Sequence, residues 1–229
     1  MQTIAVIPAR AGSRGIPWKN LRRVGGRPLV VRSVEVARAV RGIDRVIVST
    51  DGRRIASAAR SAGAEVPFIR PAVLADDGAA TVDVVRHAVA WVEAEGAPVD
   101  VVVTLQPTSP FCRPETVRAA LDRMRDPTVE SVATVAEVGL PISVVGTLVG
   151  DRLEMAWPPT GDTRRQASSP LVRLTGAVYV SRRALLDAGG LLGERTAPLL
   201  TTGAETIDID DADDLAMARR THRLLMRTA

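Results

Sequence analysis

The sequence predicts an α/β fold, a mostly parallel, doubly wound sheet carrying a small, partly β insert. Three observations predict it. Short runs rich in Val, Ile and Ala alternate along the chain with longer amphipathic runs, the order of βαβ units joined by right-handed crossovers. The short runs are apolar throughout, as strands covered by helices on both faces are. The unusual loops, at residues 8–20, 50–53 and 106–113, each follow such a run, and ligands of open α/β sheets bind at the carboxyl ends of strands.

Residues 3–7 are an apolar run closed by Pro8, the first strand. Residues 10–20 are loop. Pro28 opens a helix at a first-turn position it tolerates, and Leu29, Val30, Ser33, Val34, Ala37 and Val40 follow at helical spacing. Residues 45–49 form the second strand, stopped at Thr50-Asp51-Gly52. A helix over 54–62 ends at Gly63. We then expect a short third strand over 66–69, a helix over 79–95 and a fourth strand over 100–105. A helix over 114–125 has Val117, Ala120, Leu121 and Met124 on one face, and a fifth strand covers 131–135. Beyond Val138 the pattern changes. Residues 143–149 and 153–157 flank Gly150-Asp151, a hairpin signal, and 158–170 read as a polar loop. The apolar pattern resumes at 176–180, followed by a helix and a strand over 206–210. A closing helix over 211–227 starts with acids and ends with basic residues, complementing its dipole. These patterns divide the chain into a core, residues 1–138 and 173–229, and an inserted extension, 139–172.

The 229 residues suffice for one large α/β domain or a domain with an appendage. Aromatic residues are only 3% of the chain, so Val, Leu, Ile and Ala must build the core. The net charge is +4, but the basic residues are interspersed with 26 acids and few aromatic rings are available to stack on bases. Small anions therefore fit better than nucleic acid. The single cysteine, Cys112, excludes an intrachain disulfide and a cysteine-based zinc cluster. Neither His87 nor His222 stands in a motif that would activate Cys112 as a nucleophile, and His87 reads as a satisfied helix-face histidine. No signal-peptide pattern is visible and no run approaches the roughly 20 apolar residues of a membrane span, so we expect a cytoplasmic protein with no membrane partner.

Three constellations carry chemistry. The first is the loop Arg10-Ala-Gly-Ser-Arg-Gly-Ile-Pro-Trp-Lys19-Asn20. Lys19 is the only lysine among 30 basic residues. Lysine presents a compact point charge where arginine presents a planar fork, so a phosphate site that needs a point charge resists exchange. Gly12 and Gly15 let backbone N–H groups turn toward an anion; Arg10, Arg14 and Lys19 add three cations, and Ser13 and Asn20 add neutral donors. The Gly-Lys-Ser/Thr ending of a Walker loop and the dinucleotide fingerprint are both absent. The second constellation is Asp208-Ile209-Asp210. In a strand, residues two apart share a face, and paired carboxylates there make a hard oxygen site suited to Mg²⁺. The alternative is a helix N-terminal acid cluster with Asp211, Asp213 and Asp214. The third is Gln106-Pro-Thr-Ser109-Pro, polar donors held between prolines at a strand end.

Taken in order, these segments resemble the CMP-sialic acid synthetases, the N-acylneuraminate cytidylyltransferases. Val48-Ser49-Thr50-Asp51, Arg70-Pro71 with Leu74-Ala75-Asp76-Asp77 and His87-Ala88, Leu105-Gln106-Pro107-Thr108-Ser109-Pro110, and Ile207-Asp208-Ile209-Asp210 match as well, over nearly the whole chain. The related Kdo cytidylyltransferases share the Ile7-Pro8-Ala9-Arg10 opening but fit less well in the Ile-Pro-x-Lys-Asn half and at Gln106–Pro110. The resemblance implies a nucleotide-diphospho-sugar transferase type of fold and a homodimer formed through the insert. It implies catalysis by Lys19, Arg10, Asp208 and Asp210, with both aspartates holding Mg²⁺. CTP would contact Arg10, Gly12, Ser13, Arg14, Lys19 and Asn20, with Arg70 and Thr81 at cytosine and Asp77 in support. On the acceptor side the candidates are Gln106, Ser109, Arg165, Gln166 and Tyr179, Arg165 in cis or in trans.

The expected reaction couples CTP to a small acidic acceptor, a 2-keto-3-deoxy sugar acid, giving a CMP-sugar and pyrophosphate. The departures from the family pattern fall toward the acceptor: Arg14 where lysine is usual, Arg165-Gln166-Ala167 for Arg-Gln-Asp, Thr175-Gly176-Ala177 for Asn-Gly-Ala, and Pro141-Ile142-Ser143 for Pro-Tyr-Lys. A same-fold enzyme for a different acid, such as a phosphonate or Kdo, is the alternative. A non-catalytic nucleotide-binding relative is the third reading, which Lys19, Asp208 and Asp210 argue against.

Overall fold

The computed structural model describes residues 2–140, 144–156 and 170–228. In chain order the elements are β1 (Thr3–Pro8), β2 (Arg23–Val24), β3 (Arg27–Pro28), α1 (Leu29–Arg38), β4 (Arg45–Ser49), α2 (Arg53–Ser61), α3 (Ala72–Ala75) and α4 (Thr81–Ala94). They continue with β5 (Val101–Leu105), α5 (Pro114–Arg123), β6 (Ser131–Glu137), β7 (Gly146–Val149), β8 (Arg152–Met155), β9 (Val172–Arg182), α6 (Arg183–Asp187), β10 (Thr196–Leu200) and α7 (Ala212–Thr228). Short 3-10 turns cover Lys19–Leu21 and Gly203–Thr206.

Six strands form one sheet in the order β10-β6-β9-β5-β1-β4. Five run parallel; β9 alone runs against β5 and β6. The apolar strands are buried on both faces. On one face Val101, Val103 and Leu105 of β5 pack with Val30 and Val34 of α1, Ile55 and Ala59 of α2 and Val117 of α5. On the other, Ile4, Val6 and Val102 pack with Val85, Ala88, Val89 and Val92 of α4 and Leu186 of α6. The chain leaves β1 toward β4 on one side and then returns to β5 on its other side. Crossovers that part in this way open a crevice at the strands' carboxyl ends. The loops after β1 and β5 both emerge into it.

Two expectations need correction. Residues 66–69 do not form a strand; a single bridge joins Ile47 to Glu65, and Pro67 denies the segment a ladder donor. Residues 206–210 are also not a strand. Instead Thr196–Leu200 takes the place beside β6, and its Pro198 is tolerated because β10 lies at the sheet edge. The mostly parallel sheet carries one antiparallel strand, β9, which the periodicity does not distinguish. The hairpin does form: β7 and β8 make a separate two-stranded sheet, with Gly150 at φ 64° in its turn.

Candidate active site

A cleft of about 430 Å³ opens at the carboxyl ends of β1 and β5. Arg10, Ser13, Arg14, Lys19, Asn20, Arg70, Asp77, Thr81, Gln106, Asp208 and Asp210 all line it. Eleven of the candidates proposed from sequence thus converge from five separate stretches of chain. Gly12, Ser109 and Tyr179 are not among the lining residues. Arg165, Gln166 and Ala167, with Pro141, Ile142 and Ser143, lie outside the described residues.

The basic loop is pinned at both ends. Asn20 is buried, and its amide donates to the Arg10 carbonyl at 2.8 Å, so its side chain braces the loop from within. Ala11 N–H donates to Asp51 at 2.7 Å. Neither Gly12 nor Gly15 has positive φ; the left-handed residue is Trp18, at φ 58°. The glycines therefore do not form the turn expected of them, and only Gly15 has a steric reason. A Cβ there would lie 2.3 Å from the Asp210 carbonyl oxygen, whereas one at Gly12 would meet nothing within 4 Å. The loop thus packs backbone to backbone against the Asp208–Asp210 segment.

That segment is extended but unpaired with the sheet. Ile209 is fully buried and its N–H donates to the Thr108 carbonyl at 2.9 Å. The two flanking carboxylates therefore emerge together, the outcome expected of a strand reached without one. Glu205 anchors the approach: buried, it accepts from Thr116 Oγ1 at 2.5 Å and from the Arg113 guanidinium at 2.7 Å. Lys19 Nζ donates to the Ile209 carbonyl at 2.8 Å and to Asp210 at 3.2 Å.

Asp208 is the perturbed carboxylate. Burial pushes its carboxyl above the usual range and the Asp210 charge adds to this, while a hydrogen bond from Thr108 and the Lys19 charge oppose it. Its Oδ1 is buried without a hydrogen-bond partner. A desolvated carboxylate oxygen beside a second carboxylate is a fit for a divalent cation. No cluster of three or more acidic, His or Cys side chains stands ready among the described residues; Mg²⁺ characteristically takes one or two carboxylates and completes its shell with phosphates and water.

Arg70 is almost fully buried. Its guanidinium donates to Ser49 Oγ, the Ser49 carbonyl and the Leu74 carbonyl, so it clamps the end of β4 to α3 as well as lining the cleft. Burial lowers it to about 10, with Asp51 opposing and Arg10 assisting. His87 is not satisfied: it sets its ring edge-on to Phe68 at 4.5 Å, and its Nδ1 is buried without a partner. Thr108, not singled out from the sequence, faces Asp208, while Ser109 points behind the loop into a small cavity with Arg32 and Cys112. Tyr179 is half-buried on β9, opposite Thr104, and burial followed by the Asp208 charge raises its hydroxyl. Thr175, expected toward the acceptor, is buried; its hydroxyl bonds Thr134 Oγ1 at 2.7 Å inside a β6–β9 irregularity. The neighbouring Gly176, at φ 78°, lies beside two cleft side chains: a Cβ there would stand 3.4 Å from Gln106 Oε1 and 3.7 Å from Asp208 Oδ2.

Residues 4–146 match the family model described as cytidylyltransferase. The chain belongs to the cytidylyltransferase family. Full-length relatives agree. The CMP-N,N'-diacetyllegionaminic acid synthase of Legionella pneumophila is 33% identical, covering 96% of each chain. The 3-deoxy-manno-octulosonate cytidylyltransferase of Anaeromyxobacter dehalogenans is 32% identical, covering 96% of this chain and 97% of the relative. The pseudaminic acid cytidylyltransferase of Campylobacter jejuni is 27% identical over 96% and 95%. The fold superposes on a CMP:2-keto-3-deoxy-manno-octonic acid synthetase complexed with CTP, with TM-score 0.72, 22% identity and all of both chains covered. This cytidylyltransferase is thus a CTP-using nucleotidyltransferase with an α/β sheet of that type. No helix among its described residues is long and apolar enough to cross a membrane.

Proposed function

We propose that this cytidylyltransferase transfers CMP from CTP to a 2-keto-3-deoxy sugar acid of the nonulosonate kind, with release of pyrophosphate. The observation that carries the reading is the approach of Lys19 to Asp210 and the Ile209 carbonyl across the cleft. It sets a phosphate-binding loop against paired carboxylates, with Gln106 and Thr108 alongside. The legionaminic and pseudaminic acid relatives support a nonulosonate acceptor. The Kdo relatives keep Kdo as the second reading.

Phosphoryl transfer needs position and charge neutralisation more than covalent help. Arg10, Arg14 and Lys19 would hold the triphosphate, Ser13 would donate to it, and Arg70 and Thr81, which also line the cleft, would receive the base. Asp208 and Asp210 would hold Mg²⁺. When bound, that ion supplies charge neutralisation at the phosphates and a lowered pKa for the acceptor hydroxyl. Gln106 would orient the acceptor opposite the nucleotide, and Gly176 would leave it room. Tyr179 and Arg165 remain our candidates for the acceptor's outer end, with Ser109 acting through the loop it turns.

We also propose residues 139–172 as a dimerisation insert and the cytoplasm as the site of action. Leu148, Leu153 and Val144 are 79%, 67% and 60% exposed around a two-stranded hairpin, which cannot bury such surface by itself. The deciding experiment measures pyrophosphate release from CTP with Mg²⁺ over a panel of legionaminate, pseudaminate, N-acetylneuraminate and Kdo. Release with a nonulosonate is the expected result. Release with Kdo alone would move the acceptor to the second reading, and none with any acid would remove the sugar-acid assignment.

A further inference from the structure

The cations assigned to the triphosphate are already engaged by the chain's own carboxylates. Asp77 Oδ1 pairs with Arg10 at 2.5 Å, and its Oδ2 pairs with Arg14 Nε. Asp77 sits in the connection between α3 and α4, 63 positions from Arg14, so the pairing joins two separate stretches that line the cleft. The Arg14 side chain is 82% exposed and has no packing to hold it. Among the described residues its one side-chain bond is the bond to Asp77. The carboxylate thus does two opposed things: it draws both guanidiniums into the cleft, and it occupies the donors that a phosphate would use.

We propose that Asp77 is an internal counter-ion of the phosphate site, exchanging with the nucleotide's phosphates as they arrive and reclaiming the arginines as pyrophosphate departs. The inference rests on the CTP reading above. The chemistry favours exchange in both directions. A phosphate offers more charge and more acceptor oxygens to a guanidinium than a carboxylate does, so CTP displaces Asp77. Exposed ion pairs are weak, so the displacement costs little. In the reverse sense, pyrophosphate left on two unpartnered arginines would dissociate slowly, and product release limits many enzymes. A tethered carboxylate returning to the same donors lowers that barrier. Asp77 is therefore a positioning residue, acting on substrate through Arg10 and Arg14.

The test compares wild type with Asp77→Asn, which keeps the shape and removes the charge, and with Asp77→Glu, which keeps the charge. Binding of CTP, pyrophosphate and cytidine is measured directly, alongside kcat and KM for CTP. In Asp77→Asn the dissociation constants of CTP and pyrophosphate should both fall, by roughly two- to five-fold, the factor an exposed pair's weak attraction converts to. Cytidine binding should not change, and kcat should not rise. Asp77→Glu, which keeps the charge, should show less of this tightening than Asp77→Asn. Equal or weaker binding of CTP and pyrophosphate to a folded Asp77→Asn would overturn the proposal, as would an equal change for cytidine. Asp77→Ser reads the same way should the amide variant misfold. Wild type that binds neither CTP nor pyrophosphate would sink the underlying CTP reading instead.

Discussion

Lys19 and Asp210 stand 191 positions apart in sequence and 3.2 Å apart in space. The Lys19 ammonium is held a second time, by the Ile209 carbonyl at 2.8 Å, and its side chain is 16% exposed. A compact point charge fits between a carbonyl and a carboxylate; a broad planar fork does not. Lys19→Arg should keep the fold and lose about 10²-fold or more in kcat, the scale for removing one transition-state charge donor. Near wild-type turnover in a steady-state assay would return this lysine to chance survival on a basic chain.

Asp210→Asn should abolish turnover while the melting temperature holds or rises. The Asp210 side chain is 78% exposed, so its pairing with Lys19 is screened and weak. Its repulsion of Asp208 is one of the influences that raise the Asp208 pKa, and the amide relieves it. Calorimetry and pyrophosphate release at saturating Mg²⁺ check the two halves. Persistent activity would remove Asp210 from the metal site.

The two glycines of the basic loop should behave differently. Gly15→Ala places a methyl 2.3 Å from a backbone oxygen of Asp210, which cannot rotate away. The loop must shift, costing about 1–3 kcal/mol as an overpacked contact does and displacing Lys19 from its partners. Gly12→Ala meets nothing within 4 Å and needs no left-handed backbone, so it should match wild type in melting temperature and kcat. Equal effects in the two variants would contradict the loop-to-segment contact.

Most of the cleft was legible because its residues are polar groups stranded at the ends of apolar runs. Such groups have few structural duties there. What was not legible depends on pairing partners. The Asp208–Asp210 segment reads as a strand because its alternation is that of a strand, yet its partner is the Thr108 carbonyl rather than a ladder. Thr196–Leu200 carries Pro198, a residue that argues against a central strand but not an edge one, and β10 lies at the sheet edge. Ser109 and Thr108 are adjacent and chemically alike. Only the turn that carries Ser109 N–H back to the Gln106 carbonyl decides which of them faces Asp208. Likewise Thr175 replaces an asparagine that we placed toward the acceptor, but the β6–β9 irregularity turns its hydroxyl into the sheet.

His87 supplies a pH test. Burial, and then the Arg70 charge, hold its imidazole below the ordinary value of 6.5, and its Nδ1 has no partner to receive a proton's charge. Well above pH 6.5 both folded and unfolded chains carry neutral His87 and nothing is lost. As pH falls through the unfolded value, the unfolded chain binds the proton first, so stability declines until the lower, folded pKa is also passed. His87→Gln cannot titrate and removes this contribution. Between pH 7.5 and 5.5 the melting temperature of wild type should therefore fall further than that of His87→Gln, with carboxylates and His222 common to both. Parallel curves would mean that the imidazole titrates freely in the folded protein, and that the contact with Phe68 opens to water more readily than its 4.5 Å geometry implies.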